Sequence, residues 1–218
     1  MSSRRWSGVL AAAALAATLA GCSREPNAAK PAAPLAETFR IGIMTGTAAR
    51  DEDAFRAGEQ LEHEYAGRVQ HITYPDNFAS ESETVIAQLA GLAADSAVKV
   101  IVVGQAVPGS VVAARRIHAT RPGLLIGFAG PHEEPDSVET VCDIAVRLDP
   151  DSLAPRADSV AILAITKLLV DATDRKADAR DSLTVRRYLE TEAGGPVVMH
   201  RHNAGGNQWI VELSRVAH

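Results

Sequence analysis

The chain has 218 residues, with 22 Lys and Arg against 27 Asp and Glu, for a net charge of −5. An acidic balance excludes a protein held to nucleic acid or to anionic lipid by a basic surface. The length is enough for one generous domain with a real core, or for two very small ones.

The first segment reads as an address. Arg4 and Arg5 give a short positive region, and residues 9–20 form an uncharged run dominated by Ala and Leu. That run is short of the roughly 20 apolar residues a membrane span needs, and it suits the core of a signal peptide over residues 1–21. It ends in Leu19-Ala20-Gly21-Cys22, which resembles the lipobox of bacterial lipoproteins. The resemblance implies cleavage before Cys22, acylation of Cys22, and a protein held in the bacterial cell envelope facing periplasm or exterior. Cleavage removes two arginines and takes the net charge to about −7. Residues 22–38, with three Pro, several Ala and no apolar period, read as a flexible tether. With Cys22 spent on the anchor, Cys142 has no partner for an intrachain disulfide. Glu139 and Asp143 beside it argue for an inert buried thiol.

From Phe39 strand and helix signals alternate. A strand over 39–44 leads through Thr45-Gly46-Thr47 to a helix over 51–65. A second strand over 69–73 closes with Tyr74-Pro75-Asp76-Asn77. Ser80 and Glu83 have capping-box spacing for a helix whose apolar stripe is Val85, Ile86, Leu89 and Leu92. Residues 98–103 hold four valines and an isoleucine around Lys99, a strand covered on both faces, as in a parallel sheet. Gln105 follows, then a helix over 109–120 stopped by Pro122. A fourth strand over 124–129 ends in Gly130-Pro131-His132-Glu133, and a fifth spans 144–148. This order predicts an α/β fold, a doubly wound and mostly parallel sheet forming one Rossmann-like lobe over 39–150.

The pattern changes after Asp149. A proline-rich corner precedes a helix over 158–172 that is apolar almost all round, hence buried. A helix over 182–193 ends at Gly194, a C-cap residue. Residues 197–201 and 209–213 read as a β-hairpin. The region 151–218 is expected to pack on the same domain.

The stretches Phe39-Arg-Ile-Gly-Ile-Met-Thr-Gly-Thr47, His71-Ile-Thr-Tyr-Pro-Asp-Asn-Phe78, Val102-Val-Gly-Gln-Ala-Val-Pro-Gly109 and Pro131-His-Glu-Glu-Pro135 resemble a family of bacterial lipoproteins designated domain of unknown function 3798. Its fold is similar to type I periplasmic binding proteins, in which two lobes close on a small ligand. The resemblance implies a membrane-tethered solute-binding or sensing lipoprotein. The departure is in length. A two-lobed binder needs two domains of about 100–150 residues each, and the second lobe is missing between Asp149 and Asp158. A ligand would then be held by one lobe, by a dimer, or by a transporter or other envelope protein. The alternative is an interaction lipoprotein that has lost its cleft and docks partners through the sheet flank or the apolar helix.

In open α/β sheets the ligand crevice lies beyond the carboxyl ends of the strands. Those ends carry Thr45, Gly46, Thr47, Asp76, Asn77, Gln105 and His132, the expected binding residues for a small polar solute. No enzyme is expected, since the glycine-rich phosphate fingerprint and the hydrolase serine elbow are both absent. No cofactor or metal is expected either. His132, Glu133 and Glu134 are adjacent in a loop and seldom face one ion, and His200 and His202, which alternate on one strand face and could pair on a metal, read as exposed residues of an edge hairpin.

Overall fold

In a computed structural model of the chain, residues 39–131, 137, 138, 140–149, 156–201 and 208–213 are described. The anchor at Cys22, the tether, His132 and His202 lie outside the described residues. Residues 37–218 form one compact unit.

Among the described residues seven strands form one sheet: β1 (Arg40–Thr45), β2 (Val69–Thr73), β3 (Val98–Gly104), β4 (Leu125–Ala129), β5 (Ile144–Leu148), β6 (Val197–Arg201) and β7 (Gln208–Leu213). Their order is β2-β1-β3-β4-β5-β7-β6, parallel except for β6 against β7. The α/β, mostly parallel architecture is thus as expected. The first five strands follow one of the two common doubly wound orders, whose chain direction reverses between β1 and β3. The C-terminal hairpin is present as well, and it enters this sheet by laying β7 beside β5.

Helices α1 (Glu52–Glu64), α2 (Ser82–Ala94), α3 (Ser110–Thr120), α4 (Ala157–Thr173) and α5 (Ser182–Ala193) cover the two faces. One core gathers Ile41, Ile43, Val100, Val102, Ile144 and Val146 with α1, α4 and α5. The other gathers Met44, Ile101, Val103 and Phe128 with α2 and α3. Alternate residues of β3 enter opposite cores, which explains why its valine run is continuous. The predicted stripe Val85, Ile86, Leu89 and Leu92 is buried. Gly194 ends α5 with φ +68, the left-handed conformation that glycine adopts without a Cβ penalty.

The apolar helix α4 packs on its own sheet. Ile162, Ile165 and Leu169 share one helical face, and they meet the sheet over two glycines. A Cβ on Gly104 would stand 2.9 Å from Ile162 Cδ1, and one on Gly127 would stand 2.4 Å from Ile165 Cγ2. Being buried in its own core, that face of α4 is not open to dock another protein.

One local expectation fails. The helix after β2 begins at Ser82, and Phe78–Ser80 forms a separate 3-10 turn. The Ser80 hydroxyl donates back to the Asn77 carbonyl at 3.0 Å, so it does not cap α2. Glu81 holds the cap position without a side-chain bond. A hydroxyl this close to a preceding turn carbonyl satisfies the turn in preference to the helix.

Candidate functional site

The carboxyl ends of β1, β2 and β3 meet at the reversal of strand order, where α1 leaves to one face and α3 to the other. Three side chains connect them. The Tyr74 hydroxyl, just after β2, donates to Gln105 Oε1 at 3.0 Å. Gln105, just after β3, donates through Nε2 to Asp51 Oδ2 at 2.7 Å. Asp51 uses its other oxygen to cap α1, accepting from Ala54 N at 3.1 Å. A second tie joins two loops, from the Thr47 hydroxyl to Asp76 Oδ1 at 2.7 Å.

Gln105 has φ +50, a left-handed conformation that costs a non-glycine residue of order 1 kcal/mol. Its backbone N–H donates to the Ala129 carbonyl at 2.6 Å, and its carboxamide is held at both ends. The strain persists because several bonds determine it together. One N–H of the Gln105 amide is left over after the bond to Asp51, and the residue is half-buried at the crevice.

Electrostatics there are acidic. Tyr74 is 1% exposed, and its pKa is pushed up to about 12, first by burial and then by Asp51, with Arg50 opposing and Asp158 and Asp76 adding to the rise. The phenol is a proton donor at any ordinary pH. Asp158, near the start of α4, reaches the same rim, for a Cβ on Gly130 would lie 2.9 Å from its Oδ1. The Phe78 ring stands edge-on to Tyr74 at 5.3 Å, and the exposed Arg50 guanidinium lies 5.2 Å from the Phe78 ring centre. The crevice therefore offers carboxylates, an amide N–H, one cation and an aromatic face.

The sequence-predicted residues divide. Thr47, Asp76, Asn77 and Gln105 come together at the crevice mouth, with Asp76 and Asn77 exposed. Gly46 is buried behind them, and a Cβ there would lie 3.0 Å from the Tyr74 hydroxyl. Thr45 does not reach the surface. It is fully buried, its hydroxyl donating to the Gly46 carbonyl at 2.9 Å and sharing a hydrogen bond with His71 Nε2 at 2.8 Å. Its side chain falls on the α1 face because strand residues alternate, and there the glycine at 58 leaves room for the His71 ring. Asp51 was missed as a site residue, although an Asp ahead of the acidic pair Glu52 and Asp53 is an N-cap signature. Nothing local marks Arg50 or Phe78.

His71 also carries a pH dependence. Burial pushes it below the ordinary imidazole value, against the pull of Glu62 and Glu59. The unfolded chain thus binds this proton more readily. The stability tied to neutral His71 is present above about pH 6.5 and is lost as pH falls through the lower folded value. His118 acts oppositely, since the Asp143 carboxylate 3.6 Å from its Nε2 holds it above the ordinary value. Its contribution is present below about pH 6.5 and lost as pH rises through the higher folded value. In urea titrations between pH 5 and 7, His71→Gln should flatten the acid-side loss of stability, and His118→Gln should steepen it. Unchanged slopes in both variants would contradict the assignment.

Comparison with known proteins places these residues in a family context. A curated protein of Treponema pallidum (strain Nichols), described as uncharacterised, is 28% identical over 120 residues, which are 52% of this chain and 54% of that protein. A crystal structure from Clostridium difficile 630, provisionally described as a transcriptional regulator, superposes with a TM-score of 0.47 at 19% identity, covering 77% of this chain and 51% of that one. The chain spans about half the length of both. The family profile described as protein of unknown function DUF3798 matches residues 39–158, which include every strand end of the crevice, and the chain belongs to that family.

Proposed function

We propose that this protein is a lipid-anchored, solute-binding lipoprotein of the bacterial envelope whose ligand sits in the crevice between the ends of β1 and β3. The observation that carries this reading is Gln105. A strained residue, held by Asp51 and Tyr74 at the reversal of strand order, places an amide donor where open α/β sheets bind ligands. Three carboxylates beside it favour a polar solute rich in hydroxyl or ammonium donors, with Phe78 offering an apolar face. Binding is non-covalent and needs no cofactor. With α4 buried in its own core, the reading in which that helix docks a partner loses its surface.

The test has two arms. Residues 37–218, the compact unit, are screened by thermal unfolding against sugars, amino acids, nucleosides and organic acids. A ligand at 100 times its dissociation constant stabilises by about 2.7 kcal/mol. Asp76→Ala and Gln105→Ala should abolish the shift, and a hit that survives both would place the ligand elsewhere. In the full chain expressed in bacteria, Cys22→Ser should move the protein out of the membrane fraction. Membrane association that persists would refute the anchor.

A further inference from the structure

Beside β5 the sheet carries an anomaly. One transverse row, read along the register, is Met44, Val103, Phe128, Ala145 and Gln208. The first four belong to the core under α2 and α3. Residues paired side by side point to one face, so Gln208 ends an apolar row. It is 0% exposed, and neither Nε2 nor Oε1 has a hydrogen-bond partner. Arg147, two residues beyond Ala145 on β5, projects from the same face. Arg147 is half-buried; its Nη1 is sealed from solvent and also lacks a partner, and the guanidinium makes no ion pair among the described residues. β5 and β7 run parallel, so these diagonal neighbours are one strand spacing across and two residues along, about 8 Å apart, within reach of each other for two side chains this long.

An unpaired buried amide is costly, and an unpaired buried cationic donor more so. A leucine or methionine at position 208 would complete the apolar row without that cost. The polar pair makes sense with a polar occupant. Arg147 Nη1–H and Gln208 Nε2–H both need an acceptor, and Gln208 Oε1 needs a donor. Water supplies both kinds of bond but no charge for the guanidinium. A carboxylate oxygen satisfies the two donors and the charge, and a hydroxyl or ammonium on the next carbon satisfies Oε1.

We infer that Arg147 and Gln208 form a binding site for a small 2-hydroxy or 2-amino carboxylate. The site lies three strand spacings, about 14 Å, from the β3 end of the crevice, and it does not depend on the crevice reading.

The experiment is thermal unfolding of the full chain with lactate, malate, alanine and glutamate, with lactamide and alaninamide as controls that keep the hydroxyl or ammonium and lack the carboxylate. At least one acid should raise the midpoint saturably while its amide does not. Arg147→Met should weaken that acid about tenfold or more. Gln208→Met should abolish the response and also raise the ligand-free midpoint by about 3 °C, because the orphaned dipoles are gone. Should Gln208→Met fail to fold, Arg147→Met carries the test alone. Asp76→Ala and Gln105→Ala should leave the acid response intact, which separates this site from the crevice. The inference is overturned if no acid shifts the midpoint, if the shift is undiminished in Arg147→Met, or if crystals soaked in the acids show only water against Gln208.

Discussion

Replacing Gly127 by valine should lower the stability of the folded unit by about 3 kcal/mol. The glycine lies in β4, buried on both sides, where α4 crosses the sheet. The first added carbon alone would stand 2.4 Å from Ile165 Cγ2, 2.9 Å from Leu169 Cδ1 and 3.5 Å from Ile144 Cγ2. Carbon atoms at ease are about 3.5–4.0 Å apart, so α4 has to lift or its side chains have to leave their rotamers. Valine is otherwise a good strand former, and local propensity therefore predicts the opposite sign. For a chain of this size the loss corresponds to a midpoint lower by about 6–12 °C. Gly127→Ala should cost less, and pairing it with Ile165→Ala should recover part of the loss through the space that opens. A double-mutant cycle in urea reads this as a coupling between the two sites. If the effects are strictly additive, close approach is not the reason for the glycine.

Asp51→Ala should cost about 2–3 kcal/mol, the second largest effect. Two losses combine. Removing an N-cap costs about 1 kcal/mol, and a hydrogen bond to a charged acceptor contributes roughly 1.5 kcal/mol at a half-exposed site such as this one. Both oxygens of Asp51 are in use, one on Ala54 N and the other on Gln105 Nε2. Asparagine caps as well as aspartate does but has a single carbonyl oxygen, so Asp51→Asn should fall between the wild type and alanine. The alanine variant also frees the carboxamide that Gln105 holds in place at φ +50, and any ligand bound at the crevice should bind correspondingly less well. Urea unfolding gives the stability order. A loss confined to less than about 0.5 kcal/mol in Asp51→Ala would mean that the network is not formed in solution.

Much of the architecture was legible in the residues themselves. The β-branched run of β3, the stripe of α2, the almost wholly apolar α4 and the Gly194 stop each follow from short-range physics, namely periodicity, propensity and the freedom of glycine at positive φ. The repetition of strand and helix then required a parallel sheet with helices on both faces. That the loops after β1, β2 and β3 share one rim was legible too, because parallel strands carry their carboxyl ends on one edge of the sheet. The hairpin over β6 and β7 was readable as a hairpin. That β7 would lie beside β5 was decided only by which edge of the sheet remained open, a property of the assembled strands.

The site was less legible, since its side chains are brought together from far along the chain. Gln105 works through Tyr74 and Asp51, which are 31 and 54 residues away, and no local pattern pairs them. Thr45 sits at a strand end as expected, yet the alternation of the strand turns it toward His71 and into the core. Ser80 had the spacing of a cap and bonded to its own turn instead. Gln208 falls just outside the strand predicted over 209–213, and only the register, setting it beside Ala145, shows it buried at the end of an apolar row. Composition and periodicity act over a few residues and determined the elements. Burial, close approach and hydrogen-bond partnership depend on residues distant in sequence, and the tertiary structure alone decided them.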